Sequence, residues 1–313
     1  MKPRLSGLIA APFTAMLPDG ALNLDAIQRQ ADALVASRVS GAFICGTTGE
    51  GLSLTNAERR QVAERWVAAA AGRLQVIVHV AHSSVDESRE LAAHAQQIGA
   101  DACATVGPTF FRPASVERLV EYCARVASGA PNLPFYYYHM PVMTGVNLPM
   151  PEFLKTASRQ IPNLAGIKFT DENLMSYSQC LNFEDGRFNI LFGRDEILLA
   201  ALALGATGAV GSTYNYMAPL YHRIMEAFAR GDLETARRHQ MLSIQIIAVM
   251  ARHGGLPAGK AMMSLVGIDC GPVRPPLQNL TRSQFEVLRQ ELEQVGFPQR
   301  VGALEPVAGA AGR

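Results

Sequence analysis

The chain is short of lysine, of charge and of patterned cysteine, and each shortage removes a class of function. Acidic and basic residues nearly cancel, leaving a formal charge of +1, and charged residues make up only 18% of the 313 positions. Such a surface has no field to gather phosphates, and there is no Lys/Arg-rich run or basic-aromatic interleaving to track a strand, so nucleic acid is excluded as a partner. No apolar run reaches the roughly 20 residues that a membrane helix needs, so no membrane partner is expected. Leu8–Ala11 is apolar, but Pro12 and a polar turn follow it, which makes a poor secretory signal. Five cysteines (Cys45, Cys103, Cys123, Cys180 and Cys270) are odd in number and never spaced Cys-x-x-Cys, which argues against a disulfide framework or a zinc site. A cytoplasmic location is the expectation. His79 and His82 stand at the end of a strand with no carboxylate-histidine set of ligand spacing, and they read as structural histidines, with no metal expected.

What is present is a large apolar fraction, 49%, enough to bury a sizeable core. Short β-branched or aromatic runs alternate with longer segments of helical period, the pattern of repeated βα units on a parallel sheet. The expected strands are Gly7–Pro12, Gly41–Cys45, Gln75–Val80, Ala102–Val106, Pro134–Tyr138, Ala165–Phe169, Asn189–Phe192 and Gly208–Gly211. Helices are expected near Leu24–Ala36, Thr55–Ala71, Ser84–Ile98, Val116–Ala127, Pro149–Arg159, Leu174–Asn182, Asp195–Leu204 and Met217–Ala229. Thr55 with Glu58, and Ser84 with Glu87, fit capping boxes, and Gly99 and Gly205 stand where a left-handed residue ends a helix. Eight units in strict alternation favour a closed (β/α)8 TIM barrel over an open doubly wound sheet. Further helices at Leu233–Arg252, Lys260–Val266 and Ser283–Val295 have no strands between them. The expected organisation is a barrel over residues 1–230, a C-terminal helical extension packed on it over 231–298, and a disordered Gly/Ala-rich tail over 299–313.

The four lysines are Lys2, Lys155, Lys168 and Lys260, so arginine serves wherever a surface cation is wanted and a lysine inside a strand stands out. Lys168 falls at the carboxyl end of the sixth strand, where burial would lower its pKa and free an amine to attack a carbonyl. Pairing with a carboxylate, or snorkelling to the barrel mouth, is the plain alternative. Tyr138 closes the fifth strand, and alternation sends Tyr136 and Tyr138 to one face and Tyr137 to the other. A phenol beside such a lysine can relay protons, although tyrosines of this kind also pack barrel walls. Gly46-Thr47-Thr48-Gly49-Glu50-Gly51 follows the second strand, and its turn N–H groups and hydroxyls can hold a carboxylate without a cation, or simply connect strand to helix. It lacks a P-loop ending, and no Gly-x-Gly-x-x-Gly fingerprint opens the barrel, which disfavours nucleotides. Gly193-Arg194-Asp195-Glu196 and Gly211-Ser212-Thr213 follow strands seven and eight on the same face; the two acids could cap a helix or accept hydrogen bonds from sugar hydroxyls.

Gly46-Thr47-Thr48-Gly49-Glu50, Tyr138-His139-Met140-Pro141, Gly166-Ile167-Lys168 and Gly208-Ala209-Val210-Gly211-Ser212 together resemble the dihydrodipicolinate synthase and N-acetylneuraminate lyase family of class I aldolases. The stretches Gly49–Leu54, Pro134–His139 and Gly208–Asn215 are most similar to its lyase branch. The resemblance implies that Lys168 forms a Schiff base with a 2-oxo acid, that Tyr138 relays protons, and that Thr47 and Thr48 hold the substrate carboxylate. Thr170, Gly193, Asp195, Glu196, Gly211 and Ser212 would bind a hydroxylated chain. The implied reaction is reversible cleavage of N-acetylneuraminate to N-acetylmannosamine and pyruvate, with no cofactor beyond the imine on Lys168, in a homotetramer. An aldolase or hydratase for another 2-oxo acid, and a 2-oxo acid sensor or scaffold without catalysis, are the rival readings. Where the synthases carry an arginine, this chain has Met143, which counts against synthase activity; where many members lend a tyrosine to a neighbouring subunit, it has Phe110 and Phe111.

Overall fold

A strand buried on both faces must be apolar nearly throughout, and every strand of this chain is. A computed structural model describes residues 4–301. Eight strands, β1 (Gly7–Ala10), β2 (Gly41–Ile44), β3 (Gln75–His79), β4 (Ala102–Thr105), β5 (Phe135–His139), β6 (Leu164–Phe169), β7 (Asn189–Phe192) and β8 (Gly208–Gly211), pair in parallel and in sequence order. β8 returns to β1, closing the barrel.

The outer layer is α1 (Ala26–Ala36), α2 (Asn56–Ala70), α3 (Val85–Gln97), α4 (Val116–Ala127), α5 (Pro141–Thr144), α6 (Met150–Gln160), α7 (Leu174–Asn182), α8 (Leu198–Ala203) and α9 (Tyr214–Ala229). Beyond it run α10 (Leu233–Arg252), α11 (Leu256–Met262) and α12 (Arg282–Gln294). The core divides as strand alternation dictates. Ile9, Phe43, Ile77, Tyr136, Tyr138, Leu191 and Val210 fill the barrel, whereas Tyr137, Ile167, Phe169 and Phe192 face the helices.

Local chemistry explains most boundaries. Thr55 and Glu58 form the full capping box of α2. At α3 only half of the expected box forms: Ser84 accepts the Glu87 N–H, but the Glu87 carboxylate is taken by the amide of Asn56 on the preceding helix. Gly99 and Gly205 adopt φ of +80° and +99°, as helix terminators should. The helix expected over 195–204 is broken into a 3-10 turn, Asp195–Ile197, and α8. The reason is tertiary: Asp195 turns into the barrel, and Gln240 of α10 donates its amide to the Asp195 carbonyl at 3.1 Å while accepting the Leu199 N–H at 2.9 Å. The short α5 and an earlier start of the helix near 260 were not legible in the pattern. Residues 299–301, expected to open a disordered tail, instead form a 3-10 turn with Val301 buried. The rest of that expected tail, 302–313, lies outside the described residues. Among the described residues no helix is long and apolar enough to cross a membrane.

Candidate active site

The carboxyl ends of the strands open into a cavity of about 220 Å³, and every site residue singled out in the sequence lines it: Thr47, Thr48, Tyr138, Lys168, Thr170, Gly193, Asp195, Glu196, Gly211 and Ser212. The barrel brings them together from β2, β5, β6, β7, β8 and the loops that follow.

Lys168 owes its position to register. In β6, Ile167 and Phe169 point to the helices, so Lys168 points inward, and the parallel pairing sets it directly beside Tyr138 of β5. The side chain is 4% exposed. Its Nζ rests 3.8 Å from the centre of the Tyr138 ring and 4.0 Å from that of Phe43. Burial holds the amine below its usual pKa, and Tyr138 and the more distant Asp195 only partly oppose this. The alternative of a carboxylate partner is not realised: among the described residues no carboxylate is within salt-bridge distance of Lys168. The Tyr138 hydroxyl donates to Met140 Sδ at 2.9 Å and lies 3.5 Å from Thr47 Oγ1.

The Thr47–Thr48 loop is a tight turn: Gly51 N–H donates to the Gly46 carbonyl at 3.1 Å and Glu50 N–H to that of Thr47 at 3.0 Å. Thr14 donates its hydroxyl to the Gly49 carbonyl at 2.6 Å. Gly51 passes so close to the Cys45 carbonyl that a Cβ there would collide with it, which is why only glycine serves.

The opposite wall is polar and incompletely satisfied. Thr213 donates its N–H and its hydroxyl to Asp195 Oδ2, leaving Asp195 Oδ1 buried with no partner among the described residues; Thr170 Oγ1 is likewise buried and without a partner among them. Burial first, and then the Glu196 carboxylate, raise Asp195 to about 6. The expected helix-capping use of Asp195 does not occur. A third wall, Phe13, Ile247, Met250 and Leu256, is apolar and comes largely from α10 and α11. Sequence reasoning missed it because these residues sit at ordinary helix-core spacing.

The two histidines have structural duties. His79 Nδ1 donates to the Cys45 carbonyl at 3.0 Å, and burial pushes its pKa down to about 3; His82 Nδ1 accepts the Ser84 N–H. Among the described residues no three His, Cys, Asp or Glu side chains converge as metal ligands. Phe110 and Phe111 are 84% and 85% exposed and pack edge to face, and Met143 is exposed outside the cavity.

A closed parallel barrel with a buried lysine beside a tyrosine at the carboxyl ends of its strands is the architecture of a class I aldolase. Residues 4–295 match the dihydrodipicolinate synthetase family, and the chain belongs to that family. It is 44% identical to the N-acetylneuraminate lyase of Gallus gallus over 305 residues, covering 95% of this chain and 99% of that protein. Among solved structures, the Proteus mirabilis N-acetylneuraminate lyase superposes with a TM-score of 0.92 at 44% identity, covering 94% of this chain and all (100%) of that one. A catalytic lysine mutant of the Ruminococcus gnavus sialic acid aldolase superposes at 0.87 with 28% identity, covering 93% and 95%.

Proposed function

We propose that this chain is an N-acetylneuraminate lyase, cleaving the open-chain sugar acid to N-acetylmannosamine and pyruvate through an imine on Lys168. The observation that carries the reading is the pairing of a buried amine with a hydroxyl-seeking wall, where Thr170 Oγ1 and Asp195 Oδ1 are buried without partners among the described residues. Unpaired buried oxygens are costly unless a ligand completes them, and a polyhydroxylated chain does so. The relatives' names point to the same substrate.

In the proposed reaction the neutral Lys168 amine attacks the C2 ketone while the loop donors at Thr47 and Thr48 hold the carboxylate. Loss of water leaves an iminium, the electron sink, so no cofactor is needed. Tyr138 relays the proton of the C4 hydroxyl, accepting it as its own phenolic proton passes to the substrate carboxylate. The C3–C4 electron pair flows to the iminium, giving an enamine of pyruvate and the aldehyde of N-acetylmannosamine. Protonation at C3 and hydrolysis return the amine and release pyruvate. Thr170, Glu196 and Ser212 join Asp195 in binding the hydroxylated chain, while Gly193 and Gly211 line the same wall and leave room for the Thr170 and Asp195 side chains, because a Cβ at either would strike Thr170 Oγ1 or Asp195 Oδ1.

Three coarser features complete the reading. The described residues up to 230 form the catalytic barrel, and 231–298 form an extension whose α10 and α11 help to line the cavity. The protein acts in the cytoplasm. It assembles as a homotetramer, for which the exposed Phe110–Phe111 pair supplies apolar contact surface.

Borohydride added to the protein with pyruvate, and separately with N-acetylneuraminate, tests the chemistry, with the adduct mapped by peptide mass and pyruvate release assayed in parallel. An adduct on Lys168 with pyruvate release from the sugar acid is expected. An adduct without release assigns the site to another 2-oxo acid, and no adduct overturns the imine. Activity abolished by chelator would favour metal-assisted cleavage instead.

A further inference from the structure

The Thr47–Thr48 loop is bent into an unfavourable backbone conformation at both ends, and each end is fastened from inside the protein. Cys45 and Glu50 have φ of 55° and 53°, a region that non-glycine residues avoid. His79 holds the first through the Cys45 carbonyl. The second is held by an ion pair with both side chains out of water: Lys260 Nζ lies 2.8 Å from Glu50 Oε1, with side-chain exposures of 1% and 0%. Arg274 N–H donates to the other carboxylate oxygen at 2.8 Å, and Lys260 also donates to the Pro272 carbonyl. Among the described residues, both hydrogen-bond partners of the Glu50 carboxylate therefore belong to the extension, more than 200 positions along the chain: 210 for Lys260 and 224 for Arg274.

Neither Glu50 nor Lys260 lines the cavity, although Gly49's turn and Gly259 flank them. A fully buried ion pair is a poor source of stability, because desolvation offsets the attraction and an apolar pair of similar volume is often as stable. What such a pair does supply is direction. We propose that Glu50 and Lys260 are positioning residues that lock the Thr47–Thr48 loop to the extension, so that its donors meet the carboxylate of a 2-oxo acid without reorganising. The inference rests on the reading that Lys168 forms an imine with such an acid.

The test measures imine trapping on Lys168 by borohydride as a function of pyruvate and, in parallel, of hydroxyacetone, a ketone without a carboxylate. Glu50→Gln/Lys260→Met removes both charges together and so leaves no buried ion unpaired. Its half-saturating pyruvate concentration is expected to rise on the order of ten- to a hundred-fold, as for a cradle displaced by about an ångström, with hydroxyacetone trapping unchanged. Lys260→Arg, which keeps the charge, is expected to shift pyruvate only a few-fold, and it decides the matter if the double variant does not fold. Unchanged pyruvate saturation in the folded variant overturns the proposal, as does an equal loss for both ketones, which would mean a general collapse of the site. Wild-type protein that traps no pyruvate overturns the imine reading itself.

Discussion

Asp195 and Thr213, from the loops that follow β7 and β8, are joined by two hydrogen bonds: the Thr213 N–H at 3.1 Å and its hydroxyl at 2.6 Å both end on Asp195 Oδ2. The Tyr221 hydroxyl lies 2.8 Å behind that of Thr213, so the arrangement is anchored in α9. One carboxylate oxygen is thereby fixed, and the other is buried with no partner among the described residues.

That geometry makes Asp195 a reporter of pH. With its carboxyl raised to about 6 by burial and by Glu196, the KM for N-acetylneuraminate should rise as pH falls through about 6, and this inflection should vanish in Asp195→Asn. Stability moves the other way. Between 3.8 and about 6 the folded chain binds more protons than the unfolded one, so unfolding free energy falls as pH rises, by roughly 3 kcal/mol in all. Thermal unfolding should therefore show Asp195→Asn gaining on wild type at pH 8 relative to pH 4; no difference between the two would remove the raised carboxyl.

Gly211→Ala separates sugar binding from imine chemistry. The new Cβ would strike Asp195 Oδ1 and push the carboxylate off Thr213. A loss of about 1–3 kcal/mol in denaturant unfolding is expected from the overpacking. The KM for the sugar acid should rise, while pyruvate trapping on Lys168 stays near wild type.

Lys168→Met should lose the pyruvate adduct and reduce cleavage by on the order of a thousand-fold or more. Its fold should not suffer. The amine lies against the Phe43 and Tyr138 rings with no carboxylate partner among the described residues, and a methionine of similar volume removes a desolvation cost. A melting temperature well below wild type would contradict this account of the amine's surroundings.

Tyr138→Phe keeps the ring that packs against Lys168, Phe43 and His79 and deletes only the hydroxyl. The turnover number should drop roughly 10²- to 10⁴-fold, the range for a lost proton-transfer group, with stability changed by no more than about 1 kcal/mol. Pre-steady-state trapping of the pyruvate imine would still be observed, more slowly.

Much of the barrel was legible because its forces are local or periodic. β7, β8, α4, α7 and α10 have the ends that their sequence patterns predict, since doubly buried strands must be apolar runs and helix ends carry their own caps and glycines. Two of the misreadings share one cause. Asp195 was an equally good helix cap by local chemistry until Thr213 and Gln240 claimed it, and Glu87 was the second half of a capping box until Asn56 took its carboxylate. In each case a partner distant in sequence outbid a near one. The rarity of lysine singled out Lys168, and the same signal held Lys260, yet only the fold revealed that Lys260 meets Glu50.

By itself the sequence determined the eight βα units, the shared face of Tyr136 and Tyr138 opposite Tyr137, the place of Lys168 at the end of its strand, and the carboxyl-end loops on which the other candidate residues lie. Periodicity decides which face a side chain takes, and a strand's carboxyl end is a matter of chain direction. Tertiary structure alone decided that the amine packs on aromatic rings with no carboxylate within salt-bridge distance among the described residues, that one Asp195 oxygen has no partner among them, and that α10 and α11 wall the cavity while α11 and the segment after it fasten its loop. Those outcomes depend on which groups lose water together, and desolvation is a property of the packed assembly of elements that no single stretch of chain carries.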